Sequence, residues 1–399
     1  MVNRDIYMNK LLAYKDTEFI KVITGIRRCG KSSLLKLFME KILEEDKNAN
    51  VIYMNFESFE YDDIVNYKDM YNKINKQIIT TKTNYILLDE VQRIKEWEKA
   101  VNAMTVDFKS DIYITGSNAY LLSSELSTYL SGRYVEIKVL PLSFKEYLDF
   151  TVLEDKKTLE DKFIDYIKFG GMPGIITIKN EENLYENAIK GIYNTVFMKD
   201  VVERNKLLDA ILLEKILRFL MSNIGSLISS KKIADFLTSQ GTKITHNTVL
   251  NYLQMLENAY IIYKVPRYDI KGKEVLKTLE KYYIVDTGIR NVTLGFRDSD
   301  FGHIIENIVY FELIRRGYEV TVGKNDSLEV DFIATKPNDK KYYQVTYTML
   351  DGNVKKREFE VLKNIKDNYE KTVITMDRLY NNTSEEGIKI KYLIDFLLE

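Results

Sequence analysis

Phe19-Ile20-Lys21-Val22-Ile23-Thr24-Gly25-Ile26-Arg27-Arg28-Cys29-Gly30-Lys31-Ser32-Ser33 decides how the chain is read. The first six residues form an apolar run suited to a buried strand. From Ser32 to Glu45, Leu34, Leu35, Leu37, Phe38, Ile42 and Leu43 recur at helical spacing. Between strand and helix stands G-x4-G-K-S. Its glycines let the backbone curl so that N–H groups face an anion, and the helix N-terminus adds partial positive charge. The stretch therefore reads as a phosphate cradle made of Gly25, Ile26, Arg27, Arg28, Cys29, Gly30, Lys31, Ser32 and Ser33. In such a cradle the Lys31 ammonium reaches the β- and γ-phosphates, and the Ser32 hydroxyl ligates Mg²⁺.

A second motif supports the first. Tyr85-Ile86-Leu87-Leu88 is an apolar run that ends in Asp89-Glu90. A buried strand delivers Asp89 to its carboxyl edge, where it supports Mg²⁺, and places Glu90 to activate water. Ile112-Tyr113-Ile114-Thr115 ends in Gly116-Ser117-Asn118. Asn118 there either senses the γ-phosphate or belongs to an ordinary strand-to-loop turn. Arg133, in Leu130-Ser131-Gly132-Arg133-Tyr134, is a candidate for stabilising transition-state charge, in cis or at a neighbouring subunit. Its alternative is a surface ion pair. No Asn-Lys-x-Asp guanine signature follows, so the expected nucleotide is ATP with Mg²⁺.

Composition narrows the classes. The 399 residues, at ~150 per domain, imply two to three domains. An apolar fraction of 45% and a charged fraction of 29% argue against wholesale disorder. Lys and Arg number 58 against 59 Asp and Glu, so a polycationic nucleic-acid binder is excluded and DNA contact needs a local patch. One cysteine and a charged, non-apolar start predict a cytoplasmic protein. No run approaches the ~18 apolar residues of a membrane span. The two histidines, His246 and His303, are too separate to suggest zinc.

Strands at 51–55, 85–88, 112–115 and 134–137 alternate with helices, which predicts an α/β parallel sheet core over 1–140. A helical stretch, 141–206, is interrupted by the turn Gly170-Gly171-Met172-Pro173-Gly174. Two helices, a glycine-containing turn and the run Tyr260–Val265 read as a winged helix over 207–270. Residues 271–399 are α/β again.

Gly-Ile-Arg-Arg-Cys-Gly-Lys-Ser, Leu-Leu-Asp-Glu-Val-Gln, Thr-Gly-Ser-Asn and Phe-Gly-Gly-Met-Pro-Gly resemble, in that order, prokaryotic AAA-type P-loop ATPases with an uncharacterised C-terminal domain. The layout is also similar to archaeal ATPases. The resemblance implies an ASCE-type core with a helical lid, a winged helix and a restriction-endonuclease-like C-terminal fold. It also implies that Asp89 and Glu90 match the Walker B pair, and Ser117 or Asn118 sensor 1.

An endonuclease-like site would use a helix glutamate, a strand aspartate and a Glu-x-Lys to hold Mg²⁺. Glu306 and Asp331 fit, but Gln344 stands for the acid and Thr346 for the lysine. A second metal site at Glu306, Asp331 and Gln344, active or degenerate, is the expectation. Segment 229–267 has Lys231, Lys232, Lys243, Lys264 and Arg267 against Asp235 and Glu257. This mild basicity allows DNA binding or a structural docking role. The combined reading is an Mg²⁺-dependent ATPase moving a winged-helix and nuclease-like module on DNA. The alternatives are an ATP-gated protein-binding switch of toxin–antitoxin or defence type, and an ATP-regulated nuclease.

Overall fold

The computed structural model describes residues 2–122, 132–151, 157–176, 178, 182–207, 209–276 and 278–399. They form two compact units, Met1–Pro141 with Asn258–Tyr260, and Leu142–Glu257 with Ile261–Glu399.

In the first unit, β1 (Ile20–Thr24), β2 (Ala49–Asn55), β3 (Thr83–Asp89), β4 (Ser110–Gly116) and β5 (Tyr134–Lys138) build one sheet in the order β2-β3-β4-β1-β5. Every pairing is parallel, so all five carboxyl ends lie on one edge. Apolar strands need cover on both faces, and helices such as Lys31–Glu45 and Trp97–Asp107 supply it. Val22, Ile86 and Ile114 pack with Met70, Val101 and Met104 in the resulting core. β4 lies between β1 and β3, which sets the ends of those two strands about 10 Å apart. The crevice between them is where an open α/β sheet takes a ligand.

The second unit opens with helices Phe144–Phe150, Leu159–Phe169 and Glu182–Thr195. Helices Ala210–Ser222, Ser230–Ser239 and His246–Asn258 come next, then β6 (Ile262–Val265), β7 (Arg267–Asp269), β8 (Glu274–Val275) and β9 (Lys281–Ile284). β6 pairs antiparallel with β9, and Ile228 bridges Glu280. The strand completing this small sheet therefore lies beyond residue 270, where the sequence reading ended the winged helix. Between β6 and β9 the chain detours, and β7 and β8 join a larger sheet.

That sheet adds β10 (Glu319–Asn325), β11 (Leu328–Lys336), β12 (Asp339–Thr346), β13 (Glu370–Thr375), β14 (Thr383–Glu385) and β15 (Ile388–Tyr392). Its order is β14-β15-β13-β12-β11-β10-β7-β8. Helix Phe301–Arg315 is buried along nearly its whole length, and helix Gly352–Lys363 packs through Phe359 and Leu362.

The Gly170-Gly171 turn has a specific cause. Asp286 caps helix Thr287–Leu294 by accepting from Ile289 N (3.1 Å), and its other oxygen accepts from Gly171 N (2.7 Å). A Cβ on Gly170 would stand 2.2 Å from Asp286 Oδ1, so the carboxylate requires glycine there. Burial pushes the Asp286 carboxyl up to about 6, with the N–H groups of Gly171 and Ile289 opposing the rise. Because this value lies above that of the unfolded chain, the native state holds the extra proton. The associated stability is complete below about pH 4 and is lost as pH rises through about 6, a swing of about 3 kcal/mol. Urea unfolding between pH 4 and pH 7 should show the parent losing about that much more stability than Asp286→Asn. Parallel curves for the two proteins would contradict the assignment.

Candidate functional site

Gly25 has a φ of +142°, Arg28 of +70° and Gly30 of +101°, so the loop after β1 turns repeatedly through conformations that expose backbone N–H groups. A Cβ on Gly25 would stand 2.1 Å from the Val139 carbonyl oxygen, which ties this glycine to the strand end beside it. Helix Lys31–Glu45 begins at Gly30 without a side-chain cap and without an acid in its first turn. Its leading N–H groups thus suit an anionic ligand. Lys31 is buried, and its ammonium donates to the carbonyls of Gly25 (3.0 Å) and Ile26 (3.1 Å). Arg4 braces the loop from behind, donating to the carbonyls of Cys29 and Leu140, each at 2.9 Å. Cys29 is fully buried with Sγ against the Val139 carbonyl, and burial pushes its thiol up.

The two acids meet this loop. Asp89, wholly buried at the end of β3, accepts from Ser32 Oγ (3.0 Å), Thr115 Oγ1 (2.5 Å) and Tyr53 OH (3.1 Å). Burial and the Asp89 charge push the Tyr53 phenol up, so it remains a donor. Glu90 takes a left-handed conformation, φ +55°, with its N–H donated to Thr115 Oγ1 (3.0 Å). Its carboxylate lies 3.9 Å from the Lys31 ammonium and accepts from Gln92 and, at 3.4 Å, from Ser117. A non-glycine residue held at positive φ beside a ligand crevice is the kind of strain found at functional sites.

The structure thus brings together Lys31, Ser32, Asp89, Glu90 and the loop backbone. Asn118 is buried just past the end of β4, one residue after Ser117. Arg27 pairs with Glu57 (2.8 Å), which also takes Arg93, while Arg28 and Ser33 face solvent. Arg133 lies elsewhere. It immediately precedes β5, and its carbonyl accepts from Ile20 N at the start of β1, on the opposite edge of the sheet. A five-residue strand, roughly 15 Å, separates it from the loop of its own chain, so the in-cis role does not hold. Leu130 and Ser131 of that motif lie outside the described residues. Arg4 and Tyr53 were missed, because each joins the site from a distant segment, whereas Thr115 and Gln92 stood within the quoted motifs without a role of their own.

The residues present fit a magnesium nucleotide. Curled N–H groups, an uncapped helix start and Lys31 suit the phosphates; a hydroxyl and a buried carboxylate 3.0 Å apart suit the metal.

In the second unit, Glu306, Asp331 and Gln344 also converge. Gln344 accepts from Asp331 N (2.7 Å) and donates to Glu358 (2.7 Å), and Asp331 accepts from Val345 N (2.9 Å). At their centre is an ammonium that sequence reading missed. Lys281, on β9, lies 2.8 Å from Glu306, 2.8 Å from Glu329 and 3.5 Å from Asp331. Burial works against the Lys281 charge, but the three acids outweigh it and hold the proton on. Burial also raises Glu306, with Lys281 opposing. Among the described residues no group of three or more His, Cys, Asp or Glu side chains is arranged to hold a metal ion. In the expected second metal site, Glu306 and Asp331 share a lysine.

No helix among the described residues is long and apolar enough to cross a membrane. Residues 17–148 match the family described as AAA domain, and residues 160–300 match a domain of unknown function, DUF8612. An uncharacterized protein of Haemophilus influenzae is 42% identical over 402 residues, covering 100% of this chain and 99% of its own. Uncharacterized protein MJ1544 of Methanocaldococcus jannaschii is 34% identical over 408 residues, covering 98% and 87%. Among solved structures, the Aeropyrum pernix ORC1 protein in complex with DNA aligns with 73% of this chain and 92% of that one, at 13% identity and a TM-score of 0.31. Given the P-loop, the acidic strand end and the near full-length identities, the chain belongs to the family of AAA-type P-loop proteins that these bacterial and archaeal relatives share, with a C-terminal portion of uncharacterised role.

Proposed function

We propose that the protein is an Mg²⁺-dependent ATPase of the cytoplasm whose nucleotide cycle moves its winged-helix and C-terminal unit on DNA. The observation that carries the ATPase reading is the Ser32 hydroxyl on the Asp89 carboxylate at 3.0 Å, with Lys31 and Glu90 beside it. Bound Mg²⁺ supplies charge neutralisation at the phosphates. Lys31 exchanges the Gly25 and Ile26 carbonyls for phosphate oxygens, and this draws its ammonium away from Glu90. Glu90, then relieved of a nearby positive charge and still oriented by Gln92 and Ser117, takes the proton of the attacking water. Asn118 orients the γ-phosphate from the end of β4. Arg133, on the far edge, serves a neighbouring subunit in a homo-oligomer, and unchanged turnover in Arg133→Ala would remove it from the reading.

Binding and chemistry separate on mutation. Lys31→Ala should weaken binding of a fluorescent ATP analogue at least about 100-fold, whereas Glu90→Gln should bind it like the parent and turn over about 100-fold more slowly. Hydrolysis by Glu90→Gln at the parent rate would contradict the base assignment.

For DNA, the favoured surface is helix His246–Asn258 with the loop before it, where Lys243, Thr245, Asn247 and Asn251 are exposed. β7 and β8 belong to the larger sheet, so contact runs through the helix and not through a free wing. Lys243→Glu should lower duplex affinity about 5–10-fold and reduce the salt slope by about 1. Absence of duplex binding at low salt, with and without ATP, would instead favour the protein-binding switch. Leu250, 47% exposed on the same helix, is the observation on that side.

A further inference from the structure

The C-terminal acidic cluster has the side chains of a divalent-metal nuclease site but not its electrostatics. A cavity of about 580 Å³ opens over Glu306, Glu329, Asp331 and Glu358, wide enough for hydrated ions. A divalent cation needs several oxygen atoms facing one point and carrying uncompensated charge. Here most of those atoms are already committed. Glu306 Oε1 accepts from both Lys281 Nζ (2.8 Å) and Tyr283 OH (2.5 Å). Asp331 directs Oδ1 to Lys281 and Oδ2 to the Val345 N–H. Glu358 accepts from Gln344 with one oxygen and from Arg357 with the other. The Lys281 side chain, only 2% exposed, is more deeply buried than any acid it touches.

We propose that the Lys281 ammonium stands in the position of the metal, so that this site is a structural ion cluster that takes no divalent cation and cleaves no nucleic acid. Lys281 reaches the cluster from the small sheet after the helix-turn-helix, whereas Glu306, Glu329 and Asp331 come from the buried helix and β11. One ion cluster therefore pins that small sheet to the larger one. A catalytic lysine would have to approach a water and a substrate phosphate, and Lys281 is closed off from both by the acids that surround it. Removing the ammonium leaves three partly buried carboxylates without a counter-charge, and they must then acquire a proton or a cation.

The test uses nucleotide-free, full-length protein titrated with Mn²⁺, with the free aquo ion followed by electron paramagnetic resonance. The parent and Asp331→Asn should bind Mn²⁺ equally, because whatever binds is elsewhere. Lys281→Met should take up about one additional equivalent, which is lost again in Lys281→Met/Asp331→Asn. Mn²⁺ should also raise the melting temperature of Lys281→Met relative to the parent, since the ion binds only the folded form. Lys281→Gln carries the same comparison if the methionine variant does not fold. Three results would overturn the proposal. One is a parent that loses a Mn²⁺ equivalent on Asp331→Asn. The second is a folded Lys281 variant that gains none. The third is Mn²⁺-dependent plasmid nicking by the parent that disappears in Lys281→Met, which would make Lys281 the nuclease lysine.

Discussion

A carboxylate with no exposed surface is costly unless donors surround it, and the first unit is arranged around one, Asp89. Its three partners are hydroxyls from three separate places: Ser32 at the start of the helix after β1, Thr115 near the end of β4 and Tyr53 near the end of β2. The sheet order makes this convergence possible. With β4 inserted between β1 and β3, Thr115 stands directly between the loop and the acids and serves both, donating to Asp89 and accepting from the Glu90 N–H. If the pairing of β3 with β4 were shifted by one residue, Thr115 would point to the other face, and both contacts would be lost.

The two acidic centres differ in what neutralises them. Hydroxyls solvate Asp89 without cancelling its charge, so the site retains a demand for a cation. Lys281 sets an ammonium among Glu306, Glu329 and Asp331, in the place a metal ion would take. Counting acids does not separate these cases, because the C-terminal cluster has more carboxylates than the P-loop site. What decides is whether the donors are neutral or charged.

This difference also explains what could be read from the sequence. The P-loop, Asp89-Glu90 and the five core strands were legible because each is a local pattern whose chemistry needs adjacent residues. The three-residue β14, Thr-Ser-Glu and exposed throughout, has no apolar position to betray it, whereas β15 alternates Ile-Lys-Ile-Lys-Tyr and was overlooked despite that pattern. Residues acting over long separations were illegible. Arg4 reaches the loop from 25 positions away, Lys281 meets Asp331 across 50, and Asp286 meets Gly171 across 115. For Gly170-Gly171 a turn was legible from the glycines, but the carboxylate that forbids a side chain there was not.

The search for a missing nuclease lysine shows why local spacing fails in such a fold. A Glu-x-Lys pattern places acid and base on one strand face, two residues apart, so Thr346 after Gln344 reads as an absence. In the folded chain an ammonium does arrive, from β9. A base supplied along the same strand stays level with the acids and can share their water. A cation threaded in from another sheet ends among the acids and displaces the ion they would have held. On the proposal above, an ammonium supplied from another sheet thereby turns a metal-binding constellation into a structural ion cluster.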